Sequence, residues 1–337
     1  MKRKLLNLAI IVLAISSSQI TGAQTRARNT APAPASAGLM ASLPESDAVA
    51  QVKVKRLLSE AIPQIFANNA TKLADVNANI DAFKDRTGLD PRMFEQIALG
   101  VRFSFPAEGV TKAQTVALAS GAFSPAAMVA AGRVASNGKY REEKYQGKTI
   151  YIFTLDENIR LLGVFDFRIQ ELAAAPLDAN VLALGDAAGV RSVIDAGRQR
   201  KGANAELIAL ASRDPNAIIG FGGNLSPQLV RNLDIGNAPI AADLATLRQA
   251  YGSVGTTQTD LEIFLAARAV NADAARNLGD TLEGLKQFGA LFVGRLSGAK
   301  GVLAKSALSN LKIVTAANEL QIRTAVPQAD VGPLVGH

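Results

Sequence analysis

Hydrophobic residues open the chain as a nearly continuous block, Leu5 to Ile15 interrupted only by Asn7, and become periodic further on. Lys2, Arg3 and Lys4 precede the block, Ser16 to Gln19 follow it, and Thr21-Gly22-Ala23 sets small residues where a signal peptidase reads. At about 1.5 Å per residue the block covers roughly half of a 30 Å hydrocarbon core, so it reads as a cleaved export signal rather than an anchor. Residues 24–42 are rich in Ala, Pro and Ser and read as a tether, with the folded part starting near Leu43.

Beyond the tether, Ala48, Ala50, Val52 and Val54 alternate and predict a half-buried strand. Leu57, Leu58, Ala61, Ile62 and Ile65 then predict a helix, as do Leu73, Val76, Ile80 and Phe83, which end at Gly88. Asp90-Pro91 starts a helical turn, and strands follow at about Ile97 to Phe103 and Thr115 to Phe123. Ser124-Pro125 caps a helix to Ala135, and Tyr140 to Tyr145 with Lys148 to Phe153 form a hairpin about Gln146-Gly147. The second half offers a strand at Asn216 to Gly222 and a helix capped by Ser226-Pro227. A further helix through Leu244, Leu247 and Ala250 precedes two strands, the clearer at Asp260 to Ala267. A long helix from Asn271 and a hairpin of Leu311 to Thr315 with Glu319 to Ala325 complete it.

Strand, two helices, two strands, helix and hairpin thus occur twice in order. The expected class is α+β, a tandem duplication of that unit with antiparallel sheets and helices packed on one face. The expected division is a signal over 1–23, a tether over 24–42, a first repeat over 43–212, a second over 213–326 and a loosely ordered tail over 327–337. The first repeat carries extra strands at Leu161 to Phe167 and Val181 to Gly185, then helices at Ala187 to Arg198 and Ala205 to Ala211. In the long helix, Leu278, Leu282, Leu285, Gly289, Phe292 and Leu296 form one stripe, read as a buried core face with Gly289 as a point of close backbone approach.

Charge adds little to this picture at first sight. Removing Lys2, Arg3 and Lys4 lowers the net charge from +7 to +4, and Arg26 and Arg28 account for two more, leaving +2 over residues 43–337. With no Trp and four Tyr, nucleic-acid binding is not expected. The chain has no cysteine and so no disulfide or lipoprotein attachment, and its composition points to a bacterial envelope, periplasmic or extracellular.

Candidate chemistry is sparse. The one histidine is the terminal His337, so triad catalysis and zinc or haem sites built on His or Cys have no residues to use. Gly220-Phe221-Gly222-Gly223 follows a strand and precedes a helix, but Leu225 stands where a dinucleotide loop needs its third glycine, so these glycines read as serving a turn. Gly294 to Gly301 contains Ser297-Gly298-Ala299-Lys300, a match to S-x-x-K without its companion elements, and reads as a flexible connector between the long helix and the last hairpin. Arg141-Glu142-Glu143-Lys144 reads as the solvent face of a hairpin strand, and the Asn69-Ala70-Thr71 and Asn224-Leu225-Ser226 sequons as helix caps.

Leu43-Pro44-Glu45-Ser46-Asp47-Ala48-Val49, Thr87-Gly88-Leu89-Asp90-Pro91 and Ser120-Gly121-Ala122-Phe123 resemble segments of uncharacterised exported bacterial proteins of unknown function. The resemblance lies mainly in the first repeat and implies export, with no activity, cofactor or catalytic residue attached to it. The expectation is therefore an exported, non-catalytic protein that binds another component of the cell envelope, with no cofactor, metal or catalytic residue assigned and no transmembrane segment after cleavage. The alternatives are a periplasmic carrier of an apolar ligand, which needs an apolar pocket, and a carboxylate-dependent hydrolase, which needs two converging carboxylates.

Overall fold

A computed structural model describes residues 35–87, 90–161, 165–199, 201–232 and 238–331. The stretch read as an export signal, most of that read as a tether, and His337 lie outside the described residues. Helix α1 (Ala35–Ala41) opens the fold, so the folded body begins within the stretch read as tether. Met40 and Leu43 are fully buried, and their apolar burial is what draws this alanine-rich segment onto the sheet.

Strand β1 (Ala48–Val52) is followed by α2 (residues 54–65), whose middle, Leu57–Ala61, is a π-helical turn, and by α3 (Ala70–Thr87). A 3₁₀ turn at Pro91–Met93 is capped by Asp90, whose Oδ1 accepts from the Arg92 amide at 3.0 Å. The long hairpin β2 (Phe94–Ala107) and β3 (Val110–Gly121) leads to α4 (Pro125–Ala135) and the short strand β4 (Tyr140–Tyr145). Strands β5 (Lys148–Leu161), β6 (Phe165–Asp178) and β7 (Val181–Gly185) precede α5 (Ala187–Gln199) and α6 (Ala205–Ala211). The second half contains β8 (Ile219–Asn224), α7 (Pro227–Arg231), α8 (Ala238–Leu244), β9 (Leu247–Thr256) and β10 (Asp260–Ala269). It ends with α9 (Ala272–Val293), α10 (Gly298–Ser309), β11 (Lys312–Ala316), β12 (Glu319–Pro327) and α11 (Gln328–Val331).

The α+β class holds, and the strands form one continuous sheet of twelve, ordered β11-β12-β10-β9-β8-β1-β2-β3-β7-β6-β5-β4. Every described neighbour pair is antiparallel. β1 lies between β2 and β8, with Ala48 opposite Val101 on one side and Gly223 on the other.

The helices occupy both faces of the sheet, not one as the pattern suggested. Ala173, Ala175 and Ala183 join the cluster containing Val190 and Val193 of α5, whereas Ala174 and Leu182 join Val129 of α4. Adjacent strand residues point to opposite sides, so α4 and α5 lie on opposite faces. The Ala173-Ala174-Ala175 run is therefore buried from both directions, which removes the polar alternation that marks a strand in sequence. α1, α5 and α6 cover one face, while α2, α4 and α9 cover the other.

Three further segments differ from their sequence pattern. Leu247 and Ala250 belong to β9, because pairing with β8 and β10 overrides a spacing that also fits a helix. Val326 to Val331 are structured: Gln328 is buried, and its Nε2 donates to the Thr257 carbonyl at 3.0 Å. Chain 161–167, read as one strand, instead spans the end of β5 and the start of β6.

Glycines 220 and 222 lie inside β8, where α6 presses on the sheet. A Cβ on Gly220 would run into the Ala211 carbonyl oxygen, and one on Gly222 would sit 2.8 Å from that of Leu207. Beside them Gln51 is buried and donates from Nε2 to the same Ala211 carbonyl at 3.1 Å. Gly220→Ala should therefore lower the unfolding free energy by about 1–3 kcal/mol. Gly284→Ala, on an exposed helix position with no atom within 4 Å, should raise it by up to about 1 kcal/mol. Urea unfolding followed by circular dichroism checks both, and equal effects would remove the close-packing account of Gly220.

Candidate interaction surface

Helix α9 starts where Asn271 Oδ1 accepts from the Ala274 amide at 2.8 Å, with Asp273 favourably placed in the first turn. Its first half is a core helix: Ala275, Leu278 and Gly279 are buried against β11 and β12. A Cβ on Gly279 would lie 2.6 Å from Thr315 Oγ1, so the close approach expected at Gly289 occurs at Gly279. At Gly289 a Cβ would meet only Leu308 Cδ2, at an ordinary 3.9 Å. The Thr281 hydroxyl donates to Asp243 Oδ2 at 2.8 Å and ties the same half to α8.

Beyond Leu282 the stripe emerges into solvent. Leu285, Phe292 and Leu296 are about half exposed, and Phe288 and Leu291 reach 60% and 70%. The reading of this stripe as a buried core face holds for Leu278 and fails from Leu285 onward. Phe288 and Phe292, one turn apart, set their rings 4.8 Å between centroids, and the Arg295 guanidinium lies 5.8 Å from the Phe292 ring. At the turn Gly298 adopts φ +68°, and a Cβ on Gly301 would strike the Leu296 carbonyl. Both glycines let α10 fold back along α9. α10 is anchored at its far end, where Thr324 Oγ1 donates to the Ala307 carbonyl at 2.9 Å and Asn310 Nδ2 to that of Ala325 at 2.7 Å. Val302 on α10 is also half exposed. The result is a helical hairpin fixed to the sheet at its base, with an apolar outer end.

The other sequence candidates do not converge on a site. Gly220, Gly222 and Gly223 are strand residues, and their missing side chains accommodate α6 and Ala48. Ser297 precedes α10 without a side-chain capping bond, and Lys300 is exposed in its first turn; of the connector expected over Gly294 to Gly301, the half from Gly298 belongs to this helix. Asn69 Oδ1 accepts from Lys72 N at 3.1 Å and Ser226 Oγ from Leu229 N at 3.1 Å, in the capping roles expected. Arg141-Glu142-Glu143-Lys144 forms edge strand β4, where Glu142 accepts from Arg133 of α4 at 2.9 Å on one face. On the other, Glu143 accepts from Arg191 of α5 at 2.6 and 2.7 Å, and Arg141 pairs with Glu171. Among the described residues no cluster of three His, Cys, Asp or Glu is set to hold a metal, and no helix is long and apolar enough to cross a membrane.

One polar cluster is built around buried Tyr251, which sequence reading passed over. Its hydroxyl accepts from Arg213, while Arg268 bonds Glu319 Oε2 at 3.3 Å and Glu206 Oε1 at 2.9 Å. Arg213 also stacks on the Tyr251 ring at 5.2 Å, and Arg323 stacks on Phe264 at 4.5 Å. An adjoining cavity of about 370 Å³ is lined by Arg213, Asp214, Ser253, Glu262, Phe264 and Arg323. A more open cleft of about 880 Å³ lies between Glu108-Gly109 and Arg231-Asn232. Neither has the apolar lining a carrier of an apolar ligand would use.

Among the described residues the displaced carboxyl groups all move the same way. Arg191 and Arg141 lower Glu143 and Glu171 by hydrogen bonding, and Asp90 is lowered by the Arg92 amide and Lys84 although burial opposes them. Burial likewise opposes the shift at Glu319, but hydrogen bonds from Tyr251, Gln321 and Arg268, with the charge of Arg213, hold it below its ordinary value. A general acid would need the reverse shift. Burial, and then Glu319, pushes the Tyr251 phenol up to about 12.

No family model matches this chain, and no curated protein matches it. Among solved structures, crystal forms III, I and IV of TP0453 align with it at TM-scores of 0.44, 0.43 and 0.43 and identities of 10%, 10% and 9%. Each alignment covers 88% of this chain and 96% of that one. A likeness of that degree carries no functional inference.

Folding favours ionised Glu319, so its contribution is complete above the ordinary carboxylate range and lost as pH falls through the lowered folded-state value. Folding favours neutral Tyr251, whose contribution is complete below about pH 10 and lost as pH rises toward about 12. Glu319→Gln should flatten the acid limb of stability against pH, measured as the urea midpoint between about pH 5 and pH 3. An unchanged limb would show that Glu319 does not titrate differently on folding.

Proposed function

We propose that this chain is an exported, non-catalytic binding protein of the cell envelope, which engages another envelope component through the outer half of the α9–α10 hairpin. The observation that carries the reading is the contiguous exposure of Leu285, Phe288, Leu291, Phe292 and Leu296. Folding leaves these large side chains in water although the same helix buries Leu278, and a partner would recover the apolar contact. The Lys/Arg cluster, apolar block and small-residue site of residues 2–23 support export. The direction of the carboxyl shifts and the polar lining of the two clefts favour binding over hydrolysis or carriage.

A tandem duplication fits the element order. Outward from the β1–β8 pair, β1-β2-β3 and β8-β9-β10 run in the same order, and the hairpins β4-β5 and β11-β12 close the two ends. Strands β6 and β7, interposed between β3 and β5, then correspond to extra material in the first copy.

Two measurements test the proposal. The protein recovered from the envelope fraction should have the mass of a chain beginning at Gln24; an intact chain confined to the cytoplasm would overturn export. A photo-crosslinker at Leu291 should give an adduct in the producing cells, absent from one at exposed Lys139 and lost with Phe288→Ser/Phe292→Ser. No adduct at Leu291 above the Lys139 background would overturn docking through this surface.

A further inference from the structure

We propose that the partner of the α9–α10 hairpin is an anionic lipid surface, on which the protein sits peripherally; the inference rests on the docking reading above. Its basis is where the charge lies. From Gly284 to Asn318 the chain has no Asp or Glu and carries Lys286, Arg295, Lys300, Lys305 and Lys312. These five charges exceed the +2 of residues 43–337, so the remainder of the folded chain is net negative; four of them, Lys286, Arg295, Lys300 and Lys305, lie on the outer turns of α9, on α10 and between them, while Lys312 begins β11. Lys286 pairs with Glu283 at 3.4 Å, but Arg295, Lys300 and Lys305 are all exposed.

The placement is that of an interfacial amphipathic element. Such helices bury Phe and Leu at the boundary of headgroups and acyl chains while Lys and Arg remain among the phosphates. Phe288, Leu291 and Phe292 form the apolar projection, with the Arg295 guanidinium lying against the Phe292 ring. On α10, Val302 and Lys305 are three residues apart and share an exposed face. The long stems of these cations can lie along apolar surface while their charged ends reach headgroups.

Charge also selects among the other occupants. In a two-fold dimer through this surface, each outer hairpin would face an identical set of four cations, Lys286, Arg295, Lys300 and Lys305, which opposes association. An acidic protein would satisfy the charge, but the residues lie exposed on helical turns, and the two clefts described are lined by other elements. A projection with cations around it suits a deformable surface better than a rigid partner that must supply a matching groove.

The test is co-sedimentation of the processed protein with vesicles of equal parts phosphatidylglycerol and phosphatidylcholine, compared with phosphatidylcholine alone. Arg295→Gln/Lys300→Gln/Lys305→Gln should weaken binding to the anionic vesicles about a hundredfold, at roughly fivefold per basic residue. Phe288→Ser/Leu291→Ser/Phe292→Ser should weaken it at least tenfold, and added salt should weaken the wild type but barely affect the charge variant. All forms share one N-terminus, so any contribution from that end cancels, and circular dichroism monitors the fold. Equal binding to both vesicle types, binding unchanged in both variants, or no binding would overturn the lipid assignment. A Leu291 crosslink to an acidic protein or a second copy, without vesicle binding, would overturn it while leaving the docking reading intact. Loss of the crosslink altogether would remove both.

Discussion

The architecture depends on one antiparallel contact, the pairing of β1 with β8. β1 has five residues, yet among the described strands it alone is bonded to both the β2–β3 side and the β8–β9 side of the sheet. That contact can be covered by α6 only because β8 presents glycine at 220 and 222 and leaves room for the helix backbone. The buried Gln51 amide then supplies a donor for the Ala211 carbonyl, which would otherwise be enclosed without a partner. Side-chain removal on one strand and a single amide on its neighbour thus join two halves into one twelve-stranded sheet.

From that centre outward, the two faces impose different demands. The α5–α6 face is served by alanines and short aliphatics that let helices lie close, and its edge is a buried Tyr251 held by Arg213, Arg268 and Glu319. The opposite face carries three separate clusters, under α2, α4 and α9. The α9 cluster closes over Leu278 and Leu320 and does not extend to the outer turns. A single helix is consequently half core and half projection, with one continuous hydrophobic stripe serving both.

That division explains what was legible in the sequence. Elements with local signatures were readable: the Ser124, Asn271 and Ser226 caps, the Gln146-Gly147 turn with both residues at positive φ, and the limits of β7 and α6. Elements fixed by neighbours were not. Leu244, Leu247 and Ala250 have helical spacing, yet Leu247 to Thr256 becomes a strand because β8 and β10 enclose it, and the alanines of β6 lose alternation because both their faces are covered. The candidate surface was half legible. Its stripe was visible, but periodicity reports which residues share a face and says nothing of whether the sheet is long enough to cover them. The absence of Asp and Glu from Gly284 to Asn318 was the available signal, since a core helix has no need of such one-sided charge.

The β1–β8 contact also orders events in time. Gln51 and the carbonyl it serves are 160 residues apart in the chain, and everything from β2 to α6 lies between them. As a growing or emerging chain is delivered from its N-terminus, β1 can pair with β2 early but must leave its other edge open until β8 arrives. During that interval the nascent molecule presents an unpaired central strand, so the step most exposed to misassembly is the closing of its own middle.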